Sequence, residues 1–296
     1  MKIFYLAKWY LNARLRGYRK PLQSVIFISD LCNLRCRHCT VYSKEKPVVK
    51  SFEQVRNDLI YCYQQGSRFV DFEGGEPFLW RDGEKNINTL VDLAKEIGFF
   101  STTVTTNAQL PFSGCKADSI WVSMDGLHHF HDQIRGEGSF GKLEKNIADS
   151  EHKELNINMV INAFNYENVP DTIEYVRQHP QLKRISLNFH SPYVGTEDLF
   201  LSWDKREDVI DKIMAMKKAG YPIMNSLSGL KLMKKNNFRH VCWISNFILP
   251  DGTRLNECAG KTQNICDRCG LCMAGEMHSV YYFKPDTILA GLKLRM

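Results

Sequence analysis

The chain has 296 residues, of which 44% are apolar and 24% charged, with a formal net charge of +6. That balance excludes a disordered or fibrous chain and suits a globular protein of one large domain, or a domain with an appendage. No stretch approaches the roughly 18 apolar residues of a membrane span, and so mild a positive charge permits anionic partners without indicating nucleic acid. Ten cysteines are present. Eight fall at 32–39 and 242–272, too clustered in too long a chain for a secreted disulfide framework. Met1 to Lys8 has no uninterrupted apolar core and no small-residue cleavage site. A reducing cytoplasm and metal-bound thiols are the expectation.

Residues 2–20 read as a basic amphipathic helix. Lys8, Asn12, Arg16 and Arg19 recur at helical spacing opposite a stripe of Phe4, Ala7, Leu11 and Leu15. Such a segment lies on an anionic membrane surface or packs across the bottom of the main domain. The second placement is the expectation. Next comes the apolar, β-branched run Val25 to Ser29, of strand length. The loop leaving it carries Cys32, Cys36 and Cys39. Three thiolates so close together repel unless a metal centre neutralises them, and four cysteines usually complete a [4Fe–4S] cluster. Three leave one iron open to another ligand. A Cys₃His zinc site is the alternative, although His38, wedged beside Cys39, is poorly placed to join it.

Strand and helix then alternate. Strand-like runs occupy 25–29, 68–72, 100–106, 120–124, 156–161 and 184–189, and helical segments 51–65, 86–97, 139–150, 168–178 and 204–219. Ser51 with Gln54 forms a capping-box pattern, and Ser139 offers a similar cap. Six strands joined through helices require parallel crossovers, hence a parallel sheet, open or curved. In such folds the ligand lies at the carboxyl ends of the strands. The polar motifs collect there: Gly74-Gly75-Glu76-Pro77, Thr106-Asn107, Ser123-Met124-Asp125, His131-Asp132 with Arg135, Asn162, and His190 to Tyr193. Further on, Asp251-Gly252 between apolar runs is a hairpin signal. It brings Cys242 toward Cys258, ahead of Cys266, Cys269 and Cys272. A structural zinc is the alternative occupant of that group. Cys62 and Cys115 read as ordinary thiols.

Cys32-x₃-Cys36-x₂-Cys39, with a ring side chain at 38, resembles the signature of the radical S-adenosylmethionine (SAM) superfamily. The resemblance implies a (β/α)₆ partial TIM barrel over 25–222, after a helical lead-in at 1–24. It also implies a [4Fe–4S] cluster whose open iron chelates SAM and cleaves it to a 5′-deoxyadenosyl radical. It assigns Gly74, Gly75, Glu76 and Pro77 to the SAM amino group, and Ser123 and Asp125 to its ribose or carboxylate. Arg135 would pair with the SAM carboxylate, a match for a planar guanidinium. His38, Thr106, Asn107 and Asn162 complete that cofactor site, with Ala108 standing where the family has glycine. His190 and Tyr193 are candidates for substrate contact.

Residues 223–296 resemble the small cysteine-rich auxiliary-cluster domain called twitch, and less closely its larger relative SPASM. A second [4Fe–4S] on four of the five late cysteines follows, with Cys242, Cys258, Cys269 and Cys272 favoured over Cys266. A flavodoxin- or ferredoxin-type reductant is implied. His131 to Gly136 and the hairpin resemble maturases of ribosomal peptides, which makes hydrogen abstraction from an unactivated peptide carbon the leading expectation. The basic lead-in at Arg14 to Arg19, with Ile223 to Ser226, resembles adenosylhopane-synthase relatives, which implies a membrane lipid and peripheral membrane contact. A non-catalytic iron–sulfur carrier is the alternative from another class.

Overall fold

The β-branched and aromatic runs pair into one sheet, most of the first six joined by a helix that carries the chain to the neighbouring position. The computed structural model describes residues 2–41 and 46–295. In chain order these form α1 (Lys2–Leu15), β1 (Gln23–Phe27), α2 (Phe52–Gln65), β2 (Phe69–Glu73), α3 (Ile87–Ile97) and β3 (Ser101–Thr106). Then follow β4 (Ser119–Ser123), α4 (His129–Arg135), α5 (Ser139–Ala148), β5 (Leu155–Ile161), α6 (Val169–Gln178), β6 (Leu182–Phe189) and α7 (Trp203–Lys218). The last part holds α8 (Leu227–Met233), β7 (Ser245–Ile248), β8 (Arg254–Leu255), α9 (Met273–Tyr281) and α10 (Pro285–Arg295).

The sheet order is β6-β5-β4-β3-β2-β1-β7-β8. Neighbours from β1 to β6 are parallel, the partial-barrel arrangement of an α/β protein with helices outside. The expected six strands are extended by two. β7 adds in parallel beside β1, and β8 returns antiparallel through the Asp251-Gly252 turn. Ile26, Phe72, Val104, Ile120, Val122 and Ile157 on the strands, with Leu59, Leu90 and Ile173 on the helices, are wholly buried in one continuous core.

Local signals explain most boundaries. Ser51 Oγ accepts from the Gln54 amide while Gln54 Oε1 accepts from the Ser51 amide, closing the capping box of α2; Gly66, at φ 120°, ends that helix. Ser139 is not a cap. The N-cap of α5 is Gly138, and the Ser139 hydroxyl instead bonds Asp132.

Helix α1 also departs from expectation. It stops at Leu15, and Phe4 and Leu11, expected to pack, are 82% and 53% exposed. The face that docks carries Trp9 and Ala13, half a turn away. Trp9 is buried with Val241, Ile244 and Met277, and its indole N–H donates to the Lys20 carbonyl at 2.8 Å. Tyr5 and Tyr10 donate to the Gly66 and Tyr281 carbonyls. Two apolar faces compete on this helix, and the one with larger rings and hydroxyl partners wins. Among the described residues no helix is long and apolar enough to cross a membrane.

Trp9→Ala is therefore expected to lower stability by about 3 kcal/mol through the cavity it leaves. Leu11→Asp, on the exposed face, should change it by less than ~0.5 kcal/mol. Urea unfolding of the two variants checks the assignment of faces; equal losses would contradict it.

Candidate functional site

The three early cysteines follow β1, and neighbouring strand ends hold their loop. The Gly75 amide donates to the Ser29 carbonyl and the Glu76 amide to the Leu31 carbonyl, both at 2.8 Å. The approach is so close that a Cβ on Gly75 would lie 2.1 Å from the Leu31 oxygen, and one on Gly74 2.3 Å from the Ser29 oxygen. Only glycine fits there. Glu76 then turns inward, 1% exposed, and accepts from the Thr106 hydroxyl and the Asn107 amide at 2.8 Å each, and from the Phe78 amide. Burial pushes its carboxyl up to about 7 against those donors and Arg135. Pro77 starts the short turn that follows.

Asn107 continues the chain of contacts. Its side-chain Nδ2 donates to Asn33 Oδ1 at 2.8 Å and lies 3.6 Å from Cys32 Sγ. The Leu34 and Val41 amides point at the sulfurs of Cys32 and Cys39, at 3.4 and 3.5 Å. Ala108, in the place of the family's glycine, adopts a left-handed φ of 56° and is fully buried. An alanine there carries a strain of about 1–2 kcal/mol that glycine avoids.

Behind the loop lies a buried charge network. Arg135 Nε pairs with Asp125 Oδ2 at 2.7 Å, and its Nη1 reaches Cys36 Sγ at 3.9 Å. The Val160 amide donates to the other Asp125 oxygen. Burial pulls the Asp125 carboxyl up, but Arg135, His38, His131 and that amide outweigh it and hold the group below the usual carboxylate range. Both Asp125 oxygens thus have protein partners, and the residue positions Arg135 against Cys36. Burial pushes the Cys36 thiol up to about 11, with Cys39 and Cys32 adding and Arg135 opposing; Cys32 is also raised, chiefly by burial. His38 Nε2 lies 3.8 Å from Asp125 while its Nδ1 is a buried atom without a partner. Burial lowers its pKa to about 4, so the ring is neutral, and it faces Asp125.

The remaining expected residues divide. Ser123, half-buried, ends β4. Asn162 accepts from the Phe164 amide and donates to the Val160 carbonyl, a turn role. His190 commits Nε2 to the hydroxyl and carbonyl of Thr196, at 2.9 and 3.0 Å. Tyr193 instead lines a cavity of about 470 Å³ together with Cys242, Cys258, Cys266 and Cys269. Burial and the thiols of Cys258, Cys269 and Cys266 raise its pKa.

That cavity gathers four of the five late cysteines. Burial pushes Cys242 up to about 12 and Cys269 up to about 11, with the neighbouring thiols adding. Cys272 is 1% exposed and does not line the cavity. It starts α9, and its amide donates to Asn188 Oδ1. Cys266 stands where the sequence favoured Cys272. Gly270, between Cys269 and Cys272, has no space for a side chain: a Cβ would lie 2.0 Å from the Phe189 oxygen. Its carbonyl accepts from the Phe189 amide at 2.8 Å and its amide donates to Ser191 Oγ. The late cysteines are thereby seated on the end of β6. Among the described residues no three Cys, His, Asp or Glu side chains are grouped to hold a single metal ion. A cubane, with four irons to reach, takes ligands that stand farther apart.

Three contributors escaped the sequence. Asn165 donates to the Asp125 and Val160 carbonyls. Asn236, at φ 50°, donates to the Cys266 and Asp267 carbonyls. Arg206 donates to the Cys269 carbonyl. For the asparagines no sequence signal exists. Arg206 had one, for it sits on the stripe of α7 shared with Val209, Ile210 and Ile213, where an apolar residue belongs.

Comparison with known proteins agrees with this geometry. Residues 26–150 match the model of the radical SAM superfamily. A probable GTP 3′,8-cyclase of Methanocella arvoryzae is 27% identical over 212 residues, covering 66% of this chain and 67% of that protein. An Fe-coproporphyrin III synthase of Methanosarcina barkeri is 23% identical over 256 residues, covering 76% of this chain and 63% of that protein. The chain thus spans roughly two-thirds of the length of these relatives, and about half of several others. Among solved structures, Streptococcus suis SuiB bound to the precursor peptide SuiA superposes with a TM-score of 0.64 at 19% identity, covering 98% of this chain and 71% of that one. anSMEcpe with bound AdoMet and the Kp18Cys peptide gives 0.61 at 18%, covering 93% and 84%. With the cysteine signature, the glycine strap and the parallel partial barrel all in place, the match over residues 26–150 supports membership of the radical SAM superfamily of enzymes.

Proposed function

We propose that the protein cleaves SAM reductively at a cluster held by Cys32, Cys36 and Cys39 and abstracts hydrogen from an unactivated carbon of a peptide. The observation that carries this reading is the set of three thiols on one loop, strapped by Gly74 to Glu76 and backed by Arg135. When bound, the cluster and SAM supply the reducing electron and the 5′-deoxyadenosyl radical. The chain's own residues do the rest. The amides of Leu34 and Val41 and the Asn107 side chain stabilise negative sulfur. Arg135, fixed by Asp125, offers positive charge beside Cys36. The partnerless Nδ1 of His38 and Nε2 of His131 are buried polar atoms for a ligand to satisfy. The barrel keeps the reacting carbon dry and positioned.

A second [4Fe–4S] belongs in the cavity between Cys242, Cys258, Cys266 and Cys269, within residues 223–296, and Tyr193 is its neighbour on the substrate side. Four cysteines lining one cavity support this, since thiolates gathered at one place need a metal centre to neutralise them. The electrons come from a flavodoxin- or ferredoxin-type reductant. Peptide as substrate rests on the two solved neighbours, each captured with a peptide.

Anaerobic reconstitution is expected to give about eight irons and eight sulfides, from two cubanes. A Cys32/Cys36/Cys39→Ala variant should keep about half. In that background Cys266→Ala should lose the remainder and Cys272→Ala should retain most of it. Zinc in place of the residual iron would remove the auxiliary cluster and leave the first one standing.

A lipid substrate is the second reading, favoured by the outer face of α1. Ile3, Phe4, Leu11 and Leu15 are exposed there, with Lys8 and Arg14 on either side of the stripe. The first 29 residues contain six Lys or Arg and no Asp or Glu. An apolar stripe between cations suits an anionic membrane surface, at about 1 kcal/mol per cation. Cosedimentation with phosphatidylserine vesicles at low salt, weakened at high salt and abolished by Leu11→Asp, is the expected result of that reading. No binding at low salt would leave the peptide reading alone.

A further inference from the structure

Arg206 is a cation in the wrong place. It is wholly buried, among the largest fully buried side chains of the protein. Its guanidinium lies 4.6 Å from the Phe189 ring centre and 4.8 Å from that of Trp203. One nitrogen, Nη1, donates to the Cys269 carbonyl at 2.9 Å, while Nε and Nη2 have no partner. Among the described residues no carboxylate lies within ion-pair distance of it. A guanidinium cannot discharge itself by losing a proton, and a buried charge without a counter-charge is among the most destabilising features a core can hold. The face of each aromatic ring offers part of the compensation, but neither ring accepts from the two remaining nitrogens. By contrast Arg135, the other buried guanidinium at these loops, has Asp125.

Burial opposes the charge on Arg206, and the groups able to become negative that would favour it are the thiols of Cys272 and Cys269. As thiols they are neutral. Cys269 belongs to the set around the cavity, and ligation to iron deprotonates a cysteine. We infer that Arg206 is the built-in counter-charge of the auxiliary cluster, held behind Cys269 by that residue's carbonyl, with two nitrogens unpartnered and its charge set against the negative sulfur that ligation creates. This rests on the auxiliary-cluster reading above. Its consequence is a higher reduction potential, because positive charge and hydrogen bonds near cluster sulfur stabilise the added electron. Arg206 is thus a positioning and tuning residue, and touches no substrate.

The test uses the full chain in the Cys32/Cys36/Cys39→Ala background, loaded anaerobically with ferrous iron and sulfide, so that one cluster is observed. A dithionite titration followed by electron paramagnetic resonance compares Arg206 with Arg206→Met and Arg206→Lys. Arg206→Met is expected to keep its iron and to lower the reduced-to-oxidised ratio at a fixed potential at least tenfold, or ~59 mV for one electron. Arg206→Lys should shift it less. Thermal melts give a second readout: Arg206→Met should be at least as stable as the parent when iron-free and less stable when loaded. A residue that merely packs would lose stability equally in both states and leave the potential unmoved, and either result overturns the inference. If Arg206→Met does not accumulate as folded protein, Arg206→Gln replaces it with the same expected shift. Absence of iron from the background protein that still carries Arg206 would overturn the auxiliary-cluster reading itself, a different failure from a loaded cluster with an unchanged potential.

Discussion

Both cysteine segments depend on main chain approaching main chain at distances that exclude a side chain. Gly74 and Gly75 press against Ser29 and Leu31, ahead of Cys32. Gly270 presses against Phe189, beside Cys269. In each case a strand end supplies hydrogen bonds to a loop that has no sheet of its own, and the loop's thiols are fixed relative to the barrel. A methyl group at any of these positions forces the loop off its strand, because the opposing atom is backbone. The sheet order then sets the geography: β2 and β3 hold the first cysteine loop through Glu76 and Asn107, and β6 holds the second.

Charge is the second constraint. Thiols crowded in low dielectric resist ionisation, and the pKa values of Cys36, Cys242, Cys269 and Cys272 all stand well above the ordinary thiol range for that reason. The protein answers with one buried guanidinium near each group. Arg135 is clamped by Asp125, whose second oxygen is held by the Val160 amide, so the orientation of the guanidinium against Cys36 follows from strands β4 and β5. Arg206 has no such clamp and stacks between aromatic rings instead. The first arrangement is complete in the protein alone. The second leaves Nε and Nη2 of Arg206 without a partner.

How much of this was legible in the sequence follows from how local each signal is. The six strands of 25–222 and five of its helices announce themselves by period, with ends within two residues of expectation and Ser51 and Gly66 marking those of α2; α4, seven residues long, was not expected. The strands β7 and β8 are another matter. Asp251-Gly252 marked their hairpin, which strands of four and two residues form, but its place beside β1 is a contact across more than 200 positions that no local signal carries. The cysteine signature and Gly-Gly-Glu-Pro were plain because their spacing is itself the chemistry. Which late cysteines share a cavity was not, since Cys266 lines it and Cys272 does not, and their spacing carries no sign of that difference. On α1, Phe4, Leu11 and Leu15 form one stripe and Trp9 with Ala13 another. A sequence shows both faces and cannot say which one the neighbouring Val241 and Ile244 will cover.

The central claim is that Cys32, Cys36 and Cys39 hold a centre that cleaves SAM reductively. The most direct measurement is anaerobic incubation of the iron-loaded protein with dithionite and SAM, with 5′-deoxyadenosine quantified by chromatography and Cys36→Ala as the blank. The account predicts slow, cluster-dependent release of 5′-deoxyadenosine and methionine in equal amounts, even without a peptide. A fully loaded cluster that yields no more 5′-deoxyadenosine than Cys36→Ala would contradict it and point to an iron–sulfur electron carrier built on the same barrel.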